Sequence, residues 1–282
     1  MRIKSSFIGL LHLFFTSVCI INVCTLLFTY AQYLIMIGDI MLRTIILFLF
    51  LVLFFIVGFP IHLILTAMDK KNSGIKTRVS EKLVKYGFKC CLAISGAKIT
   101  VKGIENVPLD QPVLFVSNHR SYFDILVTYV SSPIPLGFVA KKEMEKIPGL
   151  ATWMRNIRCL FLDRENIKEG LKTILQGVEQ LKSGYSIFIC PEGTRNQGDE
   201  LLPFKEGSTK MAEKAKVPIV PIALTNTDAL FERNSFFSIK PAHVTIEFGK
   251  PIVIEELEKD QKKFLGEYLQ TTISNMLKNN VE

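Results

Sequence analysis

Residues 113–130 read VLFVSNHRSYFDILVTYV: an uncharged apolar run, a polar turn, then a second apolar stretch. The run at 113–117 suits a strand buried on both faces, because its apolar residues are continuous rather than alternating. The stretch from 123 to 130 reads as a helix. The same unit recurs outward from this point. Strands are predicted at 98–102, 136–140, 158–162, 186–190, 219–224 and 243–248. Helices are predicted at 143–155, 166–182, 207–216 and 255–279. Short apolar strands between helices predict a single α/β domain, with a mostly parallel central sheet flanked by helices. No repeat, low-complexity tract or second globular domain interrupts the pattern.

Upstream the composition changes. Residues 1–67 carry four charged side chains: Arg2, Lys4, Asp39 and Arg43. Two apolar stretches, about 7–37 and 45–67, each exceed the roughly 20 residues that cross a bilayer as a helix. Gly38-Asp39 between them reads as a tight turn, giving a membrane-anchoring hairpin over 1–67 and a globular part over 68–282. Arg2 and Lys4 flank one end of the pair; Lys70, Lys71, Lys76, Arg78, Lys82 and Lys85 flank the other. The positive-inside rule puts both ends on the cytoplasmic face, that of the inner membrane in a bacterium. The hairpin spans the bilayer or dips into one leaflet. A start at Met36 or Met41 would leave only the second stretch. A cleaved signal peptide fits poorly, since the first stretch is too long and lacks a small-residue cleavage site. Residues 76–94 form a basic amphipathic helix with Val79, Leu83, Tyr86 and Cys90 at helical spacing. It lies on the membrane surface or faces the core.

Beyond residue 67 the chain holds 31 basic and 25 acidic residues, a surplus that favours anionic partners. Beside apolar segments, the partner is a phospholipid bilayer rather than nucleic acid. No zinc-finger spacing or aromatic single-strand platform is present. The six cysteines, at 19, 24, 90, 91, 159 and 190, show no CxxC spacing, and there are four histidines. Free thiols in a reducing compartment are expected, with no metal.

The chemistry concentrates in two turns. His119 ends the 113–117 strand and Asp124 sits five positions on, in the first turn of the next helix. The carboxylate can bond one ring nitrogen and leave the other as a base near neutral pH. With no GxSxG elbow or reactive-cysteine signature, the substrate's own hydroxyl must be the nucleophile. The plain alternative is a histidine that caps a helix. The second turn, CPEGTR at 190–195, follows another apolar strand. Pro191 cannot continue a ladder, and Gly193 lets the backbone approach a ligand. Glu192 can accept from a glycerol hydroxyl or a local backbone donor. Arg195 offers a planar fork suited to phosphate. The alternative here is a loop closed by its own Glu–Arg pair.

Taken together these segments resemble the glycerolipid acyltransferase family typified by bacterial 1-acylglycerol-3-phosphate acyltransferase. Its NHxxxxD block is matched by Asn118, His119 and Asp124, and its GxxFxxR-like block by Phe161 and Arg164. Its FPEGTR block is matched by Pro191, Glu192, Gly193, Thr194 and Arg195, with Cys190 in place of Phe. Its VPIVP run is matched by Val217, Pro218, Ile219, Val220 and Pro221, and an FKxG piece by Phe204, Lys205 and Gly207. The similarity covers about residues 75–250. It implies His119 as general base, Asp124 as its orienting partner, and Arg164, Glu192, Gly193, Thr194 and Arg195 around the acceptor's phosphate and glycerol. Lys141 and Lys142 resemble family lysines near the same pocket. Arg158 stands where the second block usually has Gly, which adds charge near the acceptor or signals a different acceptor. The implied reaction moves a fatty acyl group from acyl carrier protein or coenzyme A to lysophosphatidic acid, with the thioester as co-substrate and no bound cofactor. Other lysolipid or glycerol-phosphate acceptors, an inactive membrane lipid-binding protein and a lipid-head hydrolase are the competing readings.

Overall fold

The computed structural model of the chain describes residues 38–70, 74–198, 200–234 and 238–280. The first apolar stretch, 7–37, lies outside the described residues. Seven strands form one sheet: β1 (Lys98–Lys102), β2 (Leu114–Ser117), β3 (Leu136–Lys141), β4 (Leu160–Leu162), β5 (Ser186–Ile189), β6 (Ile219–Thr225) and β7 (His243–Phe248). Their order is β1-β7-β6-β2-β5-β3-β4. Every pairing is parallel except β6 with β7.

The continuous apolar strands are explained by a core on each face. Phe115, Phe188, Val220 and Ile222 point to one side. Leu114, Val116, Ile187, Ile189, Ile219 and Ala223 point to the other. A strand's side chains alternate between faces, so both sets must be apolar where both faces are covered. α2 (Ile75–Ser95), α3 (Phe123–Ser131) and α4 (Leu150–Asn156) cover the first face. α5 (Ile167–Lys182), α6 (Lys210–Ala215) and α8 (Leu265–Asn279), with the single-turn α7 (Lys259–Lys263) before α8, belong to the second. Asn166 starts α5 by accepting from the Lys168 and Glu169 amides, which satisfies two helix-end donors.

Three predicted helices are broken by local chemistry. The one expected over 143–155 is a 3₁₀ turn, Lys142–Lys146, and then α4. Pro148 cannot extend the first piece, and Gly149 takes a φ of 76° at the junction. The one expected over 207–216 is a 3₁₀ turn, Glu206–Ser208, followed by α6. The one expected over 255–279 is a 3₁₀ turn, Ile254–Glu256, then α7 and α8, with a Glu258–Gln261 capping box starting α7. The strand expected from 158 starts later, because Arg158 has a φ of 60° and so leaves the extended region.

The second apolar stretch is a helix, α1 (Gly38–Asp69), 32 residues long and so about 48 Å. Gly38 and Asp39, read as a turn, are its first described residues. α1 lies along the domain. Arg43 Nη1 donates to Ile94 O at 3.1 Å and Ile239 N donates to Thr44 Oγ1 at 2.9 Å. Further along, Phe54 packs on Trp153 with centroids 5.4 Å apart. The buried stripe of α2 is Ser80, Val84, Gly87 and Cys91, one position on from the expected residues, and Tyr86 is exposed. At Gly87 a small residue is favoured because Phe54 occupies the space: a Cβ there would meet its ring at 2.9 Å. The four described cysteines, 90, 91, 159 and 190, are free thiols.

Candidate active site

Because β2, β5, β3 and β4 run parallel, the residues following them gather along one sheet edge. His119 leaves β2, Cys190–Arg195 leaves β5, Lys141 and Lys142 end β3, and Arg164 follows β4. β2 leads to α3 on one face, whereas β5 leads to α6 on the other. Connections that part in this way leave a crevice at the carboxyl ends of the strands, where open α/β sheets bind ligands.

Asp124 is fully buried in α3's first turn. Its Oδ2 accepts from His119 Nδ1 at 2.8 Å and from the Arg120 and Ser121 amides at 2.7 and 2.8 Å. The charge therefore holds both the ring and the loop between. With Nδ1 engaged, Nε2 is the ring atom left for chemistry, and the His119 side chain is one-fifth exposed. Asn118 ties the loop's start to β6 through both Leu224 backbone groups.

Glu192, expected around the acceptor, is turned inward. It is buried, and its two carboxylate oxygens accept from the His119 amide at 2.7 Å and the Leu202 amide at 3.0 Å. It takes local backbone donors, holding the His119 backbone, the second of the two roles open to it in the sequence. Burial holds its carboxyl above the ordinary range, and those amides pull it partly back. Gly193 has a φ of 74°, the left-handed conformation that favours glycine; a Cβ there would lie 2.9 Å from Lys205 Nζ, the mobile end of a side chain that can move aside. Thr194 is exposed. Arg195 stacks on Tyr122, with Cζ 3.7 Å from the ring centroid, and pairs with Glu232 at 3.1 Å.

Arg164 is exposed, and among the described residues it has no ion-pair partner; partial desolvation lowers its pKa. It shares its surroundings with Cys190, whose thiol is pushed well above its ordinary value by burial and by the Asp124 and Glu192 carboxylates. Lys141 pairs with Glu143 at 3.1 Å and Lys142 with Asp163 at 2.9 Å, on the same edge. Arg158 lies apart from these residues. It precedes β4, and its carbonyl lies against Gly137, near the start of β3. Its guanidinium stacks on Tyr185, which precedes β5, at 3.4 Å. Arg158 therefore sits at the opposite strand ends, about 16 Å along the strands from His119 by the parallel register at roughly 3.3 Å per residue. It adds no charge near an acceptor in the crevice.

Residues 98–225 match the family model described as Acyltransferase. Over this stretch, less than half of the chain, the sequence is similar to that family. The chain also has curated relatives. The 1-acyl-sn-glycerol-3-phosphate acyltransferase of Borreliella burgdorferi is 32% identical over 161 residues, 57% of this chain and 64% of that protein. That of Saccharomyces cerevisiae is 31% identical over 64% of this chain and 59% of its own length. That of Helicobacter pylori is 28% identical over 75% of this chain and 90% of its own. The chain thus spans less than two thirds of the first two. The crystal structure of the 1-acyl-sn-glycerophosphate (LPA) acyltransferase PlsC from Thermotoga maritima has the same fold, with a TM-score of 0.73 and 22% identity over 85% of this chain and 95% of that one.

Sequence reasoning missed Asp228 and Glu232. Asp228 accepts from Arg120 Nε at 3.1 Å and Arg233 at 2.6 Å. These bonds and the two guanidinium charges keep its carboxyl below the ordinary range against the opposing effect of its burial. Both acids follow β6, which the sheet order places beside β2; no local motif marks them.

Proposed function

We propose that this chain transfers a fatty acyl group from a thioester to the free sn-2 hydroxyl of lysophosphatidic acid, giving phosphatidic acid for phospholipid synthesis. The observation that carries the reading is the His119–Asp124 pair at 2.8 Å, on the same sheet edge as the Arg164 guanidinium, which has no ion-pair partner among the described residues. The names of the relatives support the substrate class. His119 Nε2 takes the hydroxyl proton as the oxygen attacks the thioester carbonyl. The tetrahedral intermediate collapses, the C–S bond breaks, and the departing thiolate recovers the proton. Asp124 stabilises the imidazolium formed in between. The backbone amides from His119 to Phe123 are all engaged, with Glu192, Asp124, Glu232 and Ser121 Oγ. Donors to the oxyanion therefore come from outside this loop. A thioester is already activated, so the chemistry calls for no bound cofactor. Acyl carrier protein and coenzyme A are both acidic donors suited to the basic surface.

The acyltransferase domain lies against the bilayer through α1. The helix is held to the domain from Arg43 to His62, whose Nδ1 is 3.1 Å from Asn156, a length of about 28 Å. Its other face exposes Phe48, Leu49, Leu53, Ile56, Phe59 and Leu63. A helix docked over that length is embedded with its domain rather than crossing the bilayer alone, and the basic residues from Lys70 to Lys85 favour the cytoplasmic leaflet. Between α1, α2 and α4 lies an apolar cavity of about 120 Å³ lined by Phe50, Phe54, Val84, Phe88, Trp153 and Ile157, with room for hydrocarbon.

The test is a panel of acceptors offered to the purified chain in mixed vesicles with acyl thioester. Phosphatidic acid formed from lysophosphatidic acid, in preference to lysolipids with capped phosphates, is the expected result. Free fatty acid released without acceptor would replace this reading with a hydrolase.

A further inference from the structure

We propose that Glu232 is a positioning residue that orients Arg195 toward the acceptor's phosphate and ties it to the loop carrying the base. The proposal rests on the phosphate-acceptor reading above. Glu232 lies outside every motif of the sequence, 110 residues beyond Tyr122, and its side chain is only 7% exposed. A buried carboxylate is tolerated only where its oxygens are bonded. Here Oε1 accepts from the Tyr122 amide at 2.8 Å and from Arg195 Nη1 at 3.1 Å, and Oε2 accepts from Ser121 Oγ at 2.6 Å. Ser121 Oγ in turn accepts from the Phe123 amide at 2.9 Å. One carboxylate thus joins the His119–Asp124 loop to the turn after β5.

The same contacts fix Arg195. Its guanidinium is stacked on Tyr122 and held at one corner by Glu232, which leaves its remaining nitrogens without a protein acceptor among the described residues; the side chain is one-third exposed. A planar fork with one corner anchored and the rest open is pre-set for a bidentate anion. Freed of the anchor, a long side chain must be ordered when the acceptor binds, which costs affinity.

Hydrogen bonding rather than charge supplies this role, and that separates two variants. Glu232→Gln keeps an oxygen for Tyr122 and Arg195, and its amide can donate to Ser121 Oγ, because a hydroxyl accepts as well as donates. Glu232→Ala removes all three contacts.

The experiment measures kcat and KM for lysophosphatidic acid with the purified full chain in mixed micelles, together with thermal midpoints. Glu232→Ala should raise the acceptor KM about three- to tenfold, with kcat within about twofold. Glu232→Gln should restore the wild-type value. A lysolipid with a capped phosphate should be affected less. In a cycle with Arg195→Ala, the Glu232→Ala change should have almost no further effect. A fall in kcat with KM unchanged, multiplicative effects in the cycle, or a Gln variant as poor as Ala would overturn the proposal. If Glu232→Ala does not fold, Glu232→Asp takes its place and must shift KM in the same direction. Absence of wild-type turnover with lysophosphatidic acid would instead indict the functional reading. The cycle, run on whichever lysolipid is acylated, still tests the Glu232–Arg195 coupling.

Discussion

Replacing Asp124 by Asn tests what the buried charge does, apart from its shape. The side chain keeps its volume. Oδ2 now receives three N–H donors, while Oδ1 is buried with no partner among the described residues. The Asn oxygen will therefore keep the Oδ2 place, since turning the NH₂ group there would set donor against donor. The loop survives, at a stability cost of about 1–3 kcal/mol for weakened bonds and a buried amide without an acceptor. What disappears is the charge facing the imidazolium. Two unit charges 2.8 Å apart attract by about 6 kcal/mol at an effective dielectric of about 20, which sets a ceiling. A loss of about 4–5.5 kcal/mol is expected below it, a fall of about 10³–10⁴ in kcat. The acceptor KM should hold within about twofold, because Asp124 is fully buried and reaches no ligand. Initial rates over a range of lysophosphatidic acid give both numbers, and thermal unfolding confirms a folded variant. A kcat within tenfold of wild type, or a loss confined to KM, would refute the reasoning.

Other outcomes follow from the same geometry. Arg164→Ala should raise the acceptor KM about 10- to 100-fold, the loss of about 1.5–3 kcal/mol expected for a charged hydrogen bond, whereas Arg158→Ala at the far strand ends should leave it unchanged; parallel KM measurements decide. Glu192 has its folded-state pKa raised by burial, so its contribution to stability is full below the ordinary glutamate value and is lost as pH rises through the raised one. Glu192→Gln should flatten that slope in denaturant titrations at stepped pH, while costing about 1–3 kcal/mol for the amide donor left facing Leu202 N or His119 N. Leu53→Glu on the exposed face of α1 should reduce sedimentation with anionic vesicles by at least about tenfold, at about 2.5 kcal/mol or more for an acidic side chain in hydrocarbon, without altering the fold seen by circular dichroism.

The centre of the sheet was legible because two-sided burial writes the continuous apolar runs of β2, β5 and β6, while β1 and β7 were legible from alternation instead. The His119–Asp124 pair was legible because only four residues separate its members and one strand-to-helix turn contains both. Elsewhere the sequence misled for physical reasons. Gly149 and Pro148 cut a helix whose periodicity reads through them. The inner stripe of α2 includes Ser80 and Gly87, the latter because Phe54 fills the space above it, and a hydrophobic period registers neither. Arg158 and Arg164 lie six residues apart on either side of β4, so which one reaches the crevice depends on strand direction. The His119 and Leu202 amides on Glu192 could be foreseen only as one of its two possible sets of partners. Glu232 could not be found at all without the β6–β2 adjacency that brings it to the base's loop.

The most direct measurement is acyl transfer to lysophosphatidic acid by purified His119→Ala protein in mixed vesicles, beside the wild type. Removing the imidazole should lower kcat about 10²–10⁴-fold, with the acceptor KM nearly unchanged and the thermal midpoint preserved. Turnover within a few-fold of wild type would show that another group takes the proton, and the account of this site would be wrong.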